Sequence, residues 1–348
     1  ARWNWKGFGK KTPSRPGNGP FRSRAGFLWL DAVKEVKKGM ATANQPALPG
    51  QRTWQWWRFW AKIFPYLAIS AFYLRFLVFT LYPFYYSIIL STRRMTSFTQ
   101  SEYVGFRNFW ILFARDTVFL QTLVRATVYA LASAMTHIPV AFILAYIFND
   151  RIRRGRNFLR ICYLLPLIVS GPVIATMASM LFNQQIGLVN QILGALRLPN
   201  DILWLDNARY TMALLVIIAF WRYTGYHMII YLAGLQAIDP TLYEAARIDG
   251  ANETQVFLYV TVPNMRPAMA FSLITSLIGS FQLFDLPQII WPGGGPERSA
   301  LFPLNYIYQT GLWQFRLGEA SAAGWILFLV TVVLSIGWYK LLRIGRED

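Results

Sequence analysis

Apolar residues along this chain gather into long runs divided by short polar stretches. The runs cover residues 65–90, 122–148, 159–182, 210–235, 267–291 and 320–342. A helix needs about 20 residues to cross the hydrocarbon core of a bilayer, and each run is of that order. Inside lipid the backbone must satisfy its own hydrogen bonds, so such runs fold as helices. The pattern predicts an all-α, polytopic membrane protein with about six transmembrane helices. Between the fourth and fifth runs the pattern changes, and residues 237–267 mix charged, small and turn-forming side chains.

Composition agrees with that picture. Hydrophobic residues make up 55% of the 348 and charged residues 14%, where a soluble domain is nearer a quarter charged. The net charge is +18 and is concentrated early. Residues 1–62 run from Arg2 and Lys6 to Arg58 and Lys62 with many cations between, against Asp31 and Glu35 alone. A basic flank beside a span is expected on the cytoplasmic side, near anionic head groups. Membrane lipid is thus the expected partner, and nucleic acid is not. Trp54, Trp56, Trp57, Phe59 and Trp60 mix with Arg58 and Lys62 just before the first run. They read as an interfacial helix, or else as a surface for a partner subunit. The expected organisation is a basic, Trp-rich cytoplasmic or interfacial segment at 1–62 and a transmembrane domain at 63–348.

Arg151, Arg153, Arg154, Arg156 and Arg160 crowd the segment between runs two and three, and Lys340, Arg343 and Arg346 follow run six. Positive loops stay in the cytoplasm. An even number of spans with both termini inside suits both clusters; Arg93, Arg94, Arg107 and Arg115 in the first outer loop run against the rule. Residues 1–20 lack an apolar stretch of the signal-peptide kind, so insertion is expected to rely on the first span. The one cysteine, Cys162, allows no intrachain disulfide and is expected to pack inertly. The outer sequence Trp291-Pro292-Gly293-Gly294-Gly295-Pro296 reads as a tight surface turn; the helix and lysine of a phosphate cradle are not evident after it.

Residues 237–267 read AIDPTLYEAARIDGANETQVFLYVTVPNMRP. Asp239 suits an N-cap with Pro240 at the first helical position. A helix follows over 241–248, and Gly250 lets the chain turn. Asn252 caps a second short helix, with Gln255 placed for a capping box and Val256, Tyr259 and Val260 on its apolar face. Pro263 and Pro267 close the unit. The physics predicts a helix–turn–helix on the cytoplasmic surface.

Glu244-Ala245-Ala246, three residues, Gly250, nine residues, then Val260, Val262 and Pro263 resembles the EAA loop of binding-protein-dependent ABC importers, with valines in place of isoleucine and leucine. Asp249-Gly250-Ala251 is similar to the sugar-importing branch. So are Tyr82-Pro83, Val104-Gly105-Phe106-Arg107-Asn108-Phe109, Gly155-Arg156 with Leu165-Pro166, the run from Tyr231 to Gln236, and Phe284-Asp285 followed by Gly293-Gly294-Gly295-Pro296. The resemblance covers most of residues 65–342 and is to the maltose and glycerol-phosphate type of permease.

The resemblance implies a permease subunit in a bacterial cytoplasmic (inner) membrane. Its EAA loop, with Glu244, Ala245, Ala246, Asp249, Gly250 and Pro263, would insert into an ATP-hydrolysing subunit. It implies two such ATP-binding subunits, a second, related permease in a heterodimer, and an extracytoplasmic sugar-binding protein. No cofactor is expected in this chain, ATP and Mg being held by the partner ATPases. No P-loop sequence G-x-x-x-x-G-K-[ST] occurs, so the chain is not expected to be an enzyme. An ion-coupled secondary transporter or a membrane-embedded enzyme are the rival classes. The first is expected to show paired repeats, and the second needs a catalytic constellation.

Charge inside a membrane is costly and points to function. Arg75 falls mid-way along the first run, Arg222 mid-way along the fourth, and Asp285 toward the outer end of the fifth. Ala219, Arg222, Tyr223, Tyr226 and Ile230 share one helix face, joining a cation to phenol rings on which sugars stack. Ser272, Thr275, Ser276, Gly279 and Phe281 on the fifth run are placed to face the same cavity, with small-residue helix packing as the competing explanation. The resemblance implies sugar contacts on these two spans. Two arginines would suit an anionic substrate, such as a uronate oligosaccharide or a phosphorylated polyol. A neutral oligosaccharide fits if they pair with Asp285 or with carbonyls. His137 and His227 stand on different spans and read as separate hydrogen-bonded packing residues, with no metal pair between them.

Overall fold

Where the sequence runs apolar, the chain is helical. The computed structural model describes residues 34–35, 38, 51–95, 101–150 and 156–341. Most of the basic segment 1–62 lies outside the described residues, as do Arg151, Arg153, Arg154, Arg343 and Arg346 and the side chains of Trp54, Trp56, Trp57, Phe59 and Arg156. The chain divides into two units, Ala1–Phe76 and Leu77–Asp348.

The first unit contributes α1 (Gln51–Phe76). Its aromatic side chains contact one another along the helix, with Phe72 against Tyr73 at 5.8 Å and Phe76 at 6.5 Å. Arg75 lies in its last turn and is exposed.

The second unit runs through α2 (Tyr82–Ser91), a hairpin of β1 (Arg93–Met95) and β2 (Ser101–Tyr103), α3 (Arg107–Ala114), α4 (Thr117–Asp150), α5 (Arg156–Ile168), α6 (Gly171–Leu181), α7 (Leu188–Ala195) and α8 (Ala208–Ala237). It continues through α9 (Pro240–Ile248), α10 (Glu253–Val256), α11 (Val262–Asn264), α12 (Arg266–Phe281), α13 (Asp285–Ile290), α14 (Pro303–Tyr308) and α15 (Leu317–Leu341). The hairpin is a small addition to the all-α expectation, with Arg93 opposite Tyr103 in antiparallel register. Asn108 of the outer Val104–Phe109 motif is buried there and donates to the carbonyls of Ser91 and Arg93 at 2.8 and 2.9 Å.

Five helical stretches are long and apolar enough to cross a membrane: Trp60–Ser91, Thr117–Asn149, Ala208–Ala237, Arg266–Ile290 and Leu317–Leu341. The predicted third span departs from expectation. It is a pair, Phe158–Ile168 and Gly171–Leu181, bent by 92°. Ser170 is extended (φ −63°, ψ 147°) and Pro172 follows within the first turn of α6. A proline there needs no N–H partner, but it cannot continue a helix from the preceding turn.

Helices α4 and α8 pack along each other, with α12 against both. Their contact has two apolar clusters. One includes Ala126, Tyr129, Leu215, Ala219, Leu277 and Phe281. The other includes Ala141, Ala145, Met228, Leu232, Leu235 and Met265. Between them, at mid-helix, the facing residues turn polar. Close approach needs small residues: a Cβ at Gly225 would collide with the Tyr163 carbonyl of α5.

Candidate functional site

The polar layer encloses a cavity of about 190 Å³. Helix α4 supplies Tyr129, Ser133 and His137, spaced one turn apart on one face. Helix α8 supplies Ala219, Tyr223, Tyr226 and His227, and α12 supplies Thr275, Ser276, Gly279 and Ser280. Among the described lining residues none is an acid, a lysine or an arginine. The lining offers hydroxyls, phenols and imidazoles, which suit a ligand rich in hydroxyl groups.

The histidines are not separate, and on this point the structure corrects the sequence reading. Their rings stack with centroids 4.7 Å apart and planes 26° apart. Both are 2% exposed. His227 Nδ1 shares a 2.5 Å hydrogen bond with Ser272 Oγ, and His137 Nε2 lies 3.3 Å from Ser276 Oγ. Helix packing brings the two spans together at a height that neither sequence segment encodes. Among the described residues no group of three or more His, Cys, Asp or Glu is placed to hold a metal.

Of the proposed path residues, Tyr223, Tyr226 and Thr275 line the cavity. Arg222 does not. It sits roughly 60° around the helix from Ala219 at 3.6 residues per turn, and its guanidinium lies over the neighbouring Tyr223 ring at 5.4 Å. Its buried Nε has no hydrogen-bond partner. Phe281 is fully buried in the first apolar cluster and turns away from the cavity. Asp285 opens α13 with its carboxylate against Gly171, where any side chain would collide with it. That position is the amino end of α6, whose dipole favours a negative charge. Arg75 belongs to the first unit. Sequence reasoning missed Tyr129 and Ser133; their one-turn spacing below His137 was the available signal.

The elbow at 239–263 forms as its local signals predict. Asp239 accepts from the Thr241 N–H at 2.9 Å, and the bonds from Thr241 hold its carboxyl below the usual range. At the far end Gly250 has φ +80°. The N–H groups of Gly250 and Ala251 donate to the carbonyls of Arg247 (3.1 Å) and Ala246 (3.0 Å), closing the helix as a Schellman turn. Asn252 and Gln255 make both bonds of the capping box, at 2.8 and 2.9 Å.

Glu244, Ala245, Asp249 and Gly250 are exposed, whereas Ala246 and Pro263 are half-buried. The Tyr243 hydroxyl lies 3.3 Å from Thr261 Oγ1 and links the two arms. The second arm differs from its predicted apolar face. Val256 is buried, but Tyr259 is 77% exposed. Residues Phe257–Thr261 are π-helical, which widens the turn and shifts the face. Phe257 takes the anchoring role, against Phe142 at 5.8 Å and Tyr146 at 5.2 Å on α4.

Comparison with known proteins reaches the same elements. The chain is 32% identical over 311 residues to the arabinooligosaccharides transport system permease protein AraP of Bacillus subtilis, covering 89% of this chain and 97% of that one. It is 30% identical over 279 residues to the sn-glycerol-3-phosphate transport system permease protein UgpA of Agrobacterium fabrum, covering 79% and 92%. Its fold is that of a chain in the crystal structure of a bacterial ABC transporter involved in the import of the acidic polysaccharide alginate. There the TM-score is 0.70 at 24% identity, over 85% of this chain and all of the other. A further match spans residues 137–344, from the first imidazole of the cavity through the elbow and past the last apolar helix, and by it the chain belongs to the family of binding-protein-dependent transport system inner membrane components.

Proposed function

We propose that this chain is the permease subunit of an ATP-driven importer of oligosaccharides. It sits in the cytoplasmic (inner) membrane with both termini inside and is not itself an enzyme. The elbow docks on one of two partner ATPase subunits, which bind ATP and Mg²⁺. A second, related permease completes the path, and an extracytoplasmic binding protein delivers the sugar. The observation that carries this reading is the elbow, an exposed helical hook closed by Gly250 at φ +80° and bearing the Glu244-Ala245-Ala246 signature. The small side chains of Ala245 and Ala246 admit a partner surface close to the helix, and Glu244 offers it a charge.

The experiment uses Gly250. No atom lies within 4 Å of a Cβ placed there, so a substitution strains the backbone without disturbing packing. Gly250→Leu is expected to abolish uptake in cells while membrane levels stay normal. Gly250→Asn, whose side chain tolerates a left-handed backbone, is expected to keep a substantial part of it. Normal sugar uptake by Gly250→Leu would defeat the reading.

The cavity's uncharged hydroxyl-and-ring lining favours a neutral saccharide. A second reading, an anionic substrate, rests on Arg222, whose guanidinium lies outside the lining but over the ring of Tyr223, which is part of it. Arg222→Gln separates the two readings. A selective loss of uptake for a uronate oligosaccharide supports the anionic one, and equal effects on charged and neutral oligosaccharides remove it.

A further inference from the structure

Helix α12 begins where the elbow ends, with Met265 alone between α11 and Arg266. Any displacement of the elbow reaches this helix first. Toward its two ends α12 meets its neighbours through apolar contacts: Ala268 and Met269 pack on one cluster, and Leu277 and Phe281 belong to the other. Such contacts are non-directional and tolerate small slides. The layer between is different. The fully buried Ser272 hydroxyl shares a 2.5 Å hydrogen bond with His227 Nδ1 on α8. One turn on, Ser276 Oγ lies 3.3 Å from His137 Nε2 on α4. Hydrogen bonds are directional, and a buried one that breaks has no water to replace it.

The imidazoles in turn touch the cavity wall. Tyr226 meets His227 edge-on at 5.1 Å, and Tyr223 lies 6.4 Å from His137. A shift of Ser272 therefore turns His227, and the stacked His137 and both phenol rings must follow or lose contact.

We propose that Ser272 is a positioning residue that carries displacement of the elbow to the cavity wall through the His227–His137 stack. This rests on reading the elbow as the ATPase-driven element and adds to it a named mechanical link. Ser272 itself does not line the cavity, so its substitution removes no group from the lining.

The test uses the intact importer, with both permeases and the ATPase subunits, in proteoliposomes. Cys162 is replaced by Ala and Gly279 by Cys as a reporter. Gly279 lines the cavity, and a Cβ there meets nothing within 4 Å. The readout is the labelling rate by a membrane-impermeant maleimide, without nucleotide and after trapping with ATP and vanadate. In the parent protein trapping is expected to change the rate by about fivefold, ~1 kcal/mol in the free energy of access. Ser272→Ala is expected to remove most of that change while the partner subunits still hydrolyse ATP, and Ser272→Thr to restore it. His227→Phe keeps a stacked ring without the hydrogen bond and is expected to behave as Ser272→Ala does. A full nucleotide-dependent change in either variant overturns the inference. So does joint loss of the change and of ATP hydrolysis, which marks a merely structural serine. No change in the parent protein overturns the elbow reading itself.

Discussion

The elbow and the cavity stand at opposite extremes of how a chain encodes a site. The elbow comes from one stretch of sequence, is mostly exposed, and is held by caps and turns between near neighbours. The polar lining of the cavity draws on three helices, is largely buried, and rests on contacts between residues far apart in the chain, such as Ser276 and His137. A locally encoded element can lose a bond and keep its neighbours. A tertiary site fails when any one helix shifts. Substitutions in the two regions should therefore differ in kind as well as in size.

The largest expected effect on stability is at Gly225. Replacing it with Leu drives a side chain into the Tyr163 carbonyl and should cost about 1–3 kcal/mol through overpacking, read as a lowered unfolding temperature of the detergent-purified permease. Gly250→Leu is the matched change in the elbow. It should cost about 1–2 kcal/mol of local backbone strain and leave the unfolding temperature nearly unmoved, although uptake is lost. Equal thermal shifts in the two variants would break the comparison.

Next comes the cavity wall. Tyr226→Ala should lower sugar uptake by about tenfold, equivalent to ~1.4 kcal/mol of lost ring contact, with membrane levels preserved. An unchanged uptake would show that the sugar passes elsewhere. A smaller effect belongs to the capping box. Asn252→Ala should destabilise the short second arm by about 1 kcal/mol, seen as faster amide exchange at residues 253–256 and not in α12.

The smallest effect is a pH dependence at Asp239. Its carboxyl is held below the ordinary value chiefly by the Thr241 N–H. A group depressed in the folded state stabilises above its unfolded pKa, and the contribution is lost as pH falls through the folded value. Amide exchange at the start of α9 should therefore quicken in acid below the normal carboxylate range. Asp239→Asn, which still accepts the hydrogen bond, should show much less of that acid dependence.

Much of this was legible in the residues alone. Apolar runs located the five helices that are long and apolar enough to cross a membrane, and the third run in outline only, because length and hydropathy act within a single segment. The exception, the 92° break at Ser170, had its signal in Gly171-Pro172, which the apolar run masked. Asp239, Gly250, Asn252 and Gln255 determined the elbow, since capping and left-handed turns depend on residues within a few positions. Which side of each span faces which neighbour was left to the tertiary structure. It buried Phe281, set Asp285 against Gly171, turned Arg222 from the cavity and stacked His137 on His227. The reason is that the rotation and height of one helix against another depend on how small and large residues interlock across both, and neither helix carries that information alone.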